Sequence, residues 1–187
     1  KQLNEKGINT NAYGIFLNIH SINGLFRTIY RIFNNQTKKA LSKNEFFSPD
    51  WISGSFFLIK KKDFDKIGGW NEDFFMYYED MDICKRAKYL NIDTKFYNSL
   101  HCYHSHGKSS RFDNTTKVNS KAQVIRSSHI FIKNHYSGLY SKLISLILFL
   151  SQITELILLS LFFREKRKII YKLCLLYTSP SPRDSFR

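Results

Sequence analysis

Proline is scarce in this chain. Only three occur in 187 residues, and two of them, Pro180 and Pro182, stand near the C-terminal end. Long polyproline or hinge-like linkers are therefore excluded from the body. Cysteine is scarce too. Cys84, Cys102 and Cys174 form an odd set with no Cys-x-x-Cys spacing. That excludes a disulfide framework and predicts free thiols in a reducing compartment. Acidic residues are few, 15 against 29 Lys and Arg, and the net charge is +14. Such an excess implies an anionic partner without choosing among nucleotide phosphate, nucleic acid and acidic lipid. The first residues show no charged segment leading into an apolar run, so no signal peptide is expected among them. The chain opens at Lys1 without Met and is expected to be a fragment. Internal repeats and low-complexity blocks are absent.

What is present is apolar and aromatic. Hydrophobic residues make up 43%, with 17 Phe and 11 Tyr. That is enough to pack a core, and the length suits one domain. Residues 14–19 read as a strand, and Phe26, Ile29, Tyr30 and Phe33 fall at helical spacing. The β-rich run Trp51 to Ile59 predicts a strand buried on both faces. Gly54 inside it implies close approach of a ligand or another backbone. Asp63 is expected to cap a short helix through Ile67, ended by Gly68 and Gly69. Glu79 to Leu90 reads as a helix with Ile83, Ala87 and Leu90 on one face. Asp82 and Arg86 are placed to pair, and Asn91 to close it in a left-handed turn. Residues 94–97 and 100–104 read as short strands, followed by a loop at Gly107 to Ser110.

The densest chemistry lies in Gly68-Gly69-Trp70-Asn71-Glu72-Asp73-Phe74-Phe75-Met76-Tyr77-Tyr78-Glu79-Asp80-Met81-Asp82. Three carboxylates gather at one helix start, with aromatics just upstream. An acidic first turn is also what a helix dipole selects. Carboxylates beside aromatic faces, however, suit a sugar ring, stacked on its apolar face and hydrogen-bonded at its hydroxyls. A carboxylate beside a hydroxyl nucleophile can take its proton. Half of such aromatics serve packing alone, and Gly54 can equally be a bulge residue.

This pattern resembles glycosyltransferase family 2, especially its rhamnosyltransferase-like bacterial members. The resemblance rests on Ser53-Gly54, Gly68-Gly69-Trp70-Asn71-Glu72, Phe74-Phe75, Tyr78, Glu79-Asp80-Met81-Asp82, Arg86 and His104-Ser105-His106-Gly107-Lys108-Ser109, in that order. It implies an α/β fold: the C-terminal half of a GT-A (nucleotide-diphospho-sugar transferase) domain, followed by a helical extension. The implied boundaries are a partial catalytic domain over residues 1–112 and a helical extension over 113–173. By the same resemblance Asp80 is the catalytic base, and Glu79 and Asp82 orient the acceptor or tune that base. Gly54 and Ser55 lie along the donor sugar, and Trp70 and Tyr78 contact substrate. His104 joins an upstream Asp-x-Asp around Mg²⁺ or Mn²⁺. That motif, with its nucleotide-binding strand and helix, is expected to be missing here. The 187 residues alone are then expected neither to bind donor tightly nor to turn over. The implied partners are a nucleotide-sugar donor and a lipid-linked glycan acceptor in bacterial surface polysaccharide synthesis. Asn98 departs from the proline common at its place, and Trp70 and Asn71 from the commoner Phe and Asp.

Other readings compete. Cys102, His104 and His106 alternate onto one face, although their spacing matches no usual zinc module. A basic nucleic-acid-binding module is the second function class. The basic residues are spread along the chain without a nucleic-acid motif, so no nucleic-acid partner is expected. A membrane-associated scaffold without catalysis is the third. Residues 113–173 hold ten basic against three acidic residues, a net of +7. No basic residue occurs between Lys142 and Arg164, a run rich in Leu and Ile. Ser141, Ser145, Gln152 and Glu155 trace a polar stripe along it. That predicts an amphipathic helix lying on a membrane or on the protein rather than a span. Arg164, Lys166, Arg167 and Lys168 would meet anionic headgroups. The expected location is cytoplasmic, peripheral at the inner face of the cell membrane. Cys174 to Asp184 resembles a translated sequencing adapter, so residues 174–187 are read as a non-native tail.

Overall fold

The computed structural model describes residues 1–10, 12–19, 21–22, 45–105, 113–162, 168–169 and 172. The expected helix over Phe26 to Phe33, the motif residues from His106 to Ser109, the basic run from Arg164 to Arg167 and the 174–187 tail lie outside them. The described part is mixed α/β. Its strands are β1 (Gln2–Leu3), β2 (Tyr13–Gly14), β3 (Phe46–Phe47), β4 (Trp51–Ile52), β5 (Phe96–Tyr97) and β6 (Cys102–Tyr103). Its helices are α1 (Lys61–Ile67), α2 (Glu79–Tyr89), α3 (Asn114–His135) and α4 (Gly138–Phe162). Contacts divide the chain into two units: Lys1–Asn71 with Glu79–His106, and Glu72–Tyr78 with Gly107–Arg187.

In the first unit the strands pair two by two. β1 runs parallel to β6, while β2–β4 and β3–β5 are antiparallel. Aromatic rings join two of these pairs. Tyr13 on β2 lies 4.9 Å from Phe47 on β3 and 4.7 Å from Phe96 on β5, centroid to centroid. Gly14 is required by its neighbour: a Cβ there would come within 2.9 Å of Trp51 Nε1. Without it, the indole N–H donates to the Ile15 carbonyl at 3.0 Å.

Two expected strands are shorter than their sequence patterns suggest. The 14–19 strand stops at Gly14, and the 51–59 strand stops at Ile52. In both, side-chain acceptors take backbone donors that a ladder would have used. Phe16 N–H donates to Asp50 Oδ2 at 3.1 Å, and Gly54 N–H donates to Asp80 Oδ2 at 3.2 Å. After Ile52 the chain forms a 3₁₀ turn, Gly54–Phe56, with Ser53 as its cap. Leu58 is 97% exposed, so this segment is not buried on both faces.

The helices follow local signals more closely. α1 is capped by Lys60, with Asp63 inside its first turn rather than at the cap. Gly68, at φ 88°, closes it by donating to Asp65 and Phe64 carbonyls. α2 buries Ile83, Cys84 and Ala87 and packs on β4, and Asn91 ends it at φ 56°. Leu90, expected on the buried face, is exposed because the chain has already turned there.

In the second unit Asp113 caps α3, accepting from Thr116 N–H at 2.8 Å. Gly138, at φ 62°, allows the reversal into α4, and α3 and α4 pack together. Phe131 and Ile132 of α3 and Ile144 and Leu148 of α4 are fully or nearly fully buried. The segment Glu72–Tyr78 packs within this unit. Ser127 Oγ donates to the Met76 carbonyl at 2.8 Å, and Tyr78 meets Phe131 ring to ring at 5.9 Å.

Candidate active site

The first turn of α2 holds Glu79, Asp80 and Asp82, and the structure gives each a different environment. Asp80 is held by two backbone donors. Its Oδ2 accepts from Gly54 N–H at 3.2 Å, and its Oδ1 accepts from Met81 N–H at 2.8 Å. Burial raises its pKa above the ordinary aspartate value, and the two N–H bonds oppose that rise. Glu79 is also pushed up, by burial first and then by the negative charge of Asp80. Its Oε2 is buried without a hydrogen-bond partner among the described residues. A carboxylate held at a helix start with an elevated proton affinity fits the role of a general base.

Asp82 is different. It is 1% exposed and bonds Arg86, with Nε to Oδ2 at 2.8 Å and Nη2 to Oδ2 at 2.7 Å. The same guanidinium donates to the Ile67 carbonyl at 2.6 Å and the Gly69 carbonyl at 2.8 Å. Arg86 thus ties α2 to the Gly68-Gly69 turn, and Asp82 holds Arg86. In this geometry Asp82 faces Arg86. The sequence shows the Asp82–Arg86 pair by spacing, but the two carbonyl bonds follow no local rule.

Gly54 and Trp70 lie beside Asp80. A Cβ built on Gly54 would stand 3.6 Å from Asp80 Cβ and 3.9 Å from Trp70 Cη2. Trp70 is 43% exposed and packs on Phe57 at a tilt and on Phe64 edgewise. Part of the residue is thereby held by the body while part meets solvent. Ser55 Oγ pairs with Ser53 Oγ at 2.9 Å and accepts from the amide of Gln2. Gln2 is buried on β1, and no pattern in the sequence marked it. β1 in turn receives His104 N–H at the Leu3 carbonyl, 2.8 Å away. Hydrogen bonds therefore connect Asp80, Gly54, Ser55 and Gln2 to the strand pair that carries His104.

Tyr78, expected to contact substrate, packs its ring on Phe131 in the second unit. Tyr77 and Tyr78 both have positive φ, 66° and 68°, rare for residues with bulky side chains. The strained pair stands immediately before α2, where backbone strain is often stored at functional segments.

Metal ligation is incomplete. Among the described residues no three His, Cys, Asp or Glu side chains converge to hold an ion. One Asp-x-Asp does precede Asp80, namely Asp63-Phe64-Asp65, contrary to the expectation that none would. It lies in α1 rather than at the end of a nucleotide-binding strand, and Asp65 pairs with Lys61 on the exposed helix surface. The described donors do not form a set for Mg²⁺ or Mn²⁺ around His104.

Comparisons with known proteins match this region to sugar transferases. A family model described as the N-terminal domain of galactosyltransferase matches residues 35–109. Rhamnosyltransferase WbbL of Escherichia coli K12 is 33% identical over 73 residues, covering 37% of this chain and 27% of that protein. The N-acetylglucosaminyl-diphospho-decaprenol L-rhamnosyltransferase of Mycobacterium tuberculosis is 30% identical over 88 residues, covering 47% of this chain and 28% of that protein. The low-salt glycan biosynthesis hexosyltransferase Agl10 of Haloferax volcanii is 46% identical over 44 residues, covering 24% of this chain and 14% of that protein. The matched stretches thus span about a quarter or less of these relatives. No solved structure matches. Over the part of its length that these matches cover, the chain is similar to rhamnosyl- and hexosyltransferases of glycan biosynthesis.

Proposed function

We propose that this chain is the acceptor-side, C-terminal portion of a GT-A enzyme. In the whole enzyme it would transfer a sugar, with inversion, from a nucleotide-sugar donor to a lipid-linked glycan. The observation that carries the reading is the Gly54 N–H bond to Asp80 beside a half-open Trp70. In that arrangement Asp80 accepts the proton of the acceptor hydroxyl. The hydroxyl oxygen forms a bond to the anomeric carbon as the bond to the nucleoside diphosphate breaks on the opposite face. The Trp70 ring offers an apolar face for a sugar, and Ser55 and the Gly54 turn lie along it.

Glu79 supplies a second carboxylate beside the base, and Asp82 acts through Arg86 to hold α2 against the Gly68-Gly69 turn. Tyr78 would contribute through the strained segment leading into α2. A divalent ion, Mg²⁺ or Mn²⁺, would need carboxylates beyond the described residues, with His104 as one donor. Acceptors anchored by a lipid place the work at the inner, cytoplasmic face of the cell membrane. The M. tuberculosis relative is named for a diphospho-decaprenol, which supports a lipid-linked acceptor.

The direct test is the full-length parent enzyme with Asp80→Asn. Sugar transfer is expected to fall by roughly 10²–10⁴-fold, the usual worth of a positioned base. Undiminished turnover would remove Asp80 from the mechanism. The 187-residue chain alone should not turn over, and measurable transfer by it would contradict the partial-domain reading.

A further inference from the structure

The long helix α4 faces the opposite way from an ordinary amphipathic helix. Ser141, Ser145 and Gln152 of its polar stripe are half-buried toward α3, while Glu155 is exposed. Gln152 Nε2 donates to Ser128 Oγ at 3.2 Å, and Gln152 Oε1 lies 3.0 Å from His129 Nε2, both on α3. The outward stripe is aliphatic: Leu139, Leu143, Leu146, Leu150, Ile153 and Ile157, each 38–82% exposed. At about 100° per residue these six fall within a band roughly 80° wide. Glu155 lies on the far side of the helix from it. Phe149 flanks the band and is exposed as well.

We infer that this outer face of α4 docks into one leaflet of an anionic lipid bilayer, with the helix lying in the plane of the membrane. Charge distribution selects this occupant. Lys142 stands exposed at the edge of the stripe, and Arg164, Lys166, Arg167 and Lys168 follow the apolar run in sequence. No charged residue other than Glu155 falls between Lys142 and Arg164. An exposed lysine at the edge of an uncharged aliphatic face, with a basic run following it in sequence, matches a headgroup layer above acyl chains.

A transmembrane path fits less well. α4 is long and apolar enough to cross, since Gly138–Ile157 has a mean hydropathy of 1.4. It is packed against α3, however, which carries Lys117, Lys121, Arg126 and Lys133. A crossing pair would take four cations into hydrocarbon. A second copy of this chain also fits less well. The alternating four- and three-residue spacing is that of a coiled-coil seam, yet the flanking positions are Lys142, Ile147, Phe149 and Thr154. They offer no opposite charges to select a partner helix.

Flotation of the full chain with vesicles tests the inference and needs no turnover, so it stands or falls separately from the catalytic reading. The chain is expected to float with equimolar phosphatidylglycerol and phosphatidylcholine, and at least about tenfold less with phosphatidylcholine alone. The Leu146→Glu/Leu150→Glu variant should bind at least ~100-fold more weakly, as expected for losing two buried leucines. In the otherwise unchanged chain, Phe149→Trp should report a blue-shifted emission quenched by lipids brominated in the acyl chain. Three results would overturn the proposal: no flotation, no quenching, or a lipid-free dimer that the double variant dissociates. The last would assign the face to a second copy.

Discussion

Gly54 and Asp80, 26 positions apart in sequence, are joined by a 3.2 Å bond from the glycine N–H to the carboxylate. The bond does two things. It draws Gly54 out of a strand ladder, and it fixes the direction of the carboxyl group at the start of α2. Asn at position 80 keeps one acceptor oxygen, enough for Gly54 N–H or Met81 N–H but not both, so Asp80→Asn should cost about 1–3 kcal/mol of stability. Its effect on transfer should exceed that structural cost. Thermal melting beside transfer assays on the full-length enzyme separates the two.

Gly54→Ala probes the same place by volume. Gly54 does not have a positive φ, and the new methyl would meet Asp80 Cβ at 3.6 Å and Trp70 Cη2 at 3.9 Å, ordinary contact distances. The fold should tolerate it, while the space between tryptophan and carboxylate fills. KM for the sugar substrates should rise with little change in Tm. Gly14→Ala is the contrast. Its methyl would come within 2.9 Å of the Trp51 indole, and such overpacking costs roughly 1–3 kcal/mol. A large loss of Tm at Gly14 and a small one at Gly54 is the expected pair of results.

Arg86 is the prediction with the greatest structural effect. Removing it leaves Asp82, 1% exposed, without its ion-pair partner and frees two carbonyls of the Gly68-Gly69 turn. Arg86→Met should destabilise by about 3–5 kcal/mol, the cost of stranding a buried charge. Arg86→Lys keeps the charge but cannot fork to three acceptors, so it should restore only part of the loss. Denaturant unfolding of the two variants measures this. Equal stability of Arg86→Met and the parent would remove the tie.

Much of the α1–α2 region was legible because its causes are local. Gly68 at a left-handed turn, Asn91 at another, and Asp82 four residues before Arg86 all follow rules that span one helical turn. The relatives matched over the same stretch are rhamnosyl- and hexosyltransferases. What the sequence could not show depends on distant partners. The run from Trp51 to Ile59 reads as a strand until Asp80 claims the Gly54 N–H. Gln2 has no local signature, and only its bond to Ser55 across 53 positions gives it a place in the site. α4 is recognisable as amphipathic, but its inward face is set by Ser128 and His129 on another helix.

Burial at Glu79 gives a stability prediction whose sign differs from that of a salt-bridged acid. Its pKa is raised in the folded state, so the folded chain binds a proton more readily than the unfolded one. The charged form is therefore a burden at neutral pH, relieved as pH falls through the raised folded value toward the ordinary glutamate range. Glu79→Gln should raise Tm at neutral pH, and the difference from the parent should vanish in acid. Tm series on both proteins check this, and a variant less stable than the parent at neutral pH would contradict it.

His129 titrates with the opposite consequence. Burial lowers its pKa below 6.5, while its bond with Gln152 works against that shift. The folded helix pair therefore holds the neutral ring, and the unfolded chain takes up the proton first as pH drops. Stability from this group is complete above 6.5 and is lost as pH falls from there toward the depressed folded value. Replacing His129 with Gln keeps a hydrogen-bonding side chain toward Gln152 and removes the titration. The variant should lose less stability between neutral and mildly acidic pH than the parent. Denaturant midpoints for the α3–α4 transition, followed in the full chain by helical circular dichroism, test this. Parallel pH profiles for parent and His129→Gln would show that the ring is not held neutral by its position against α4.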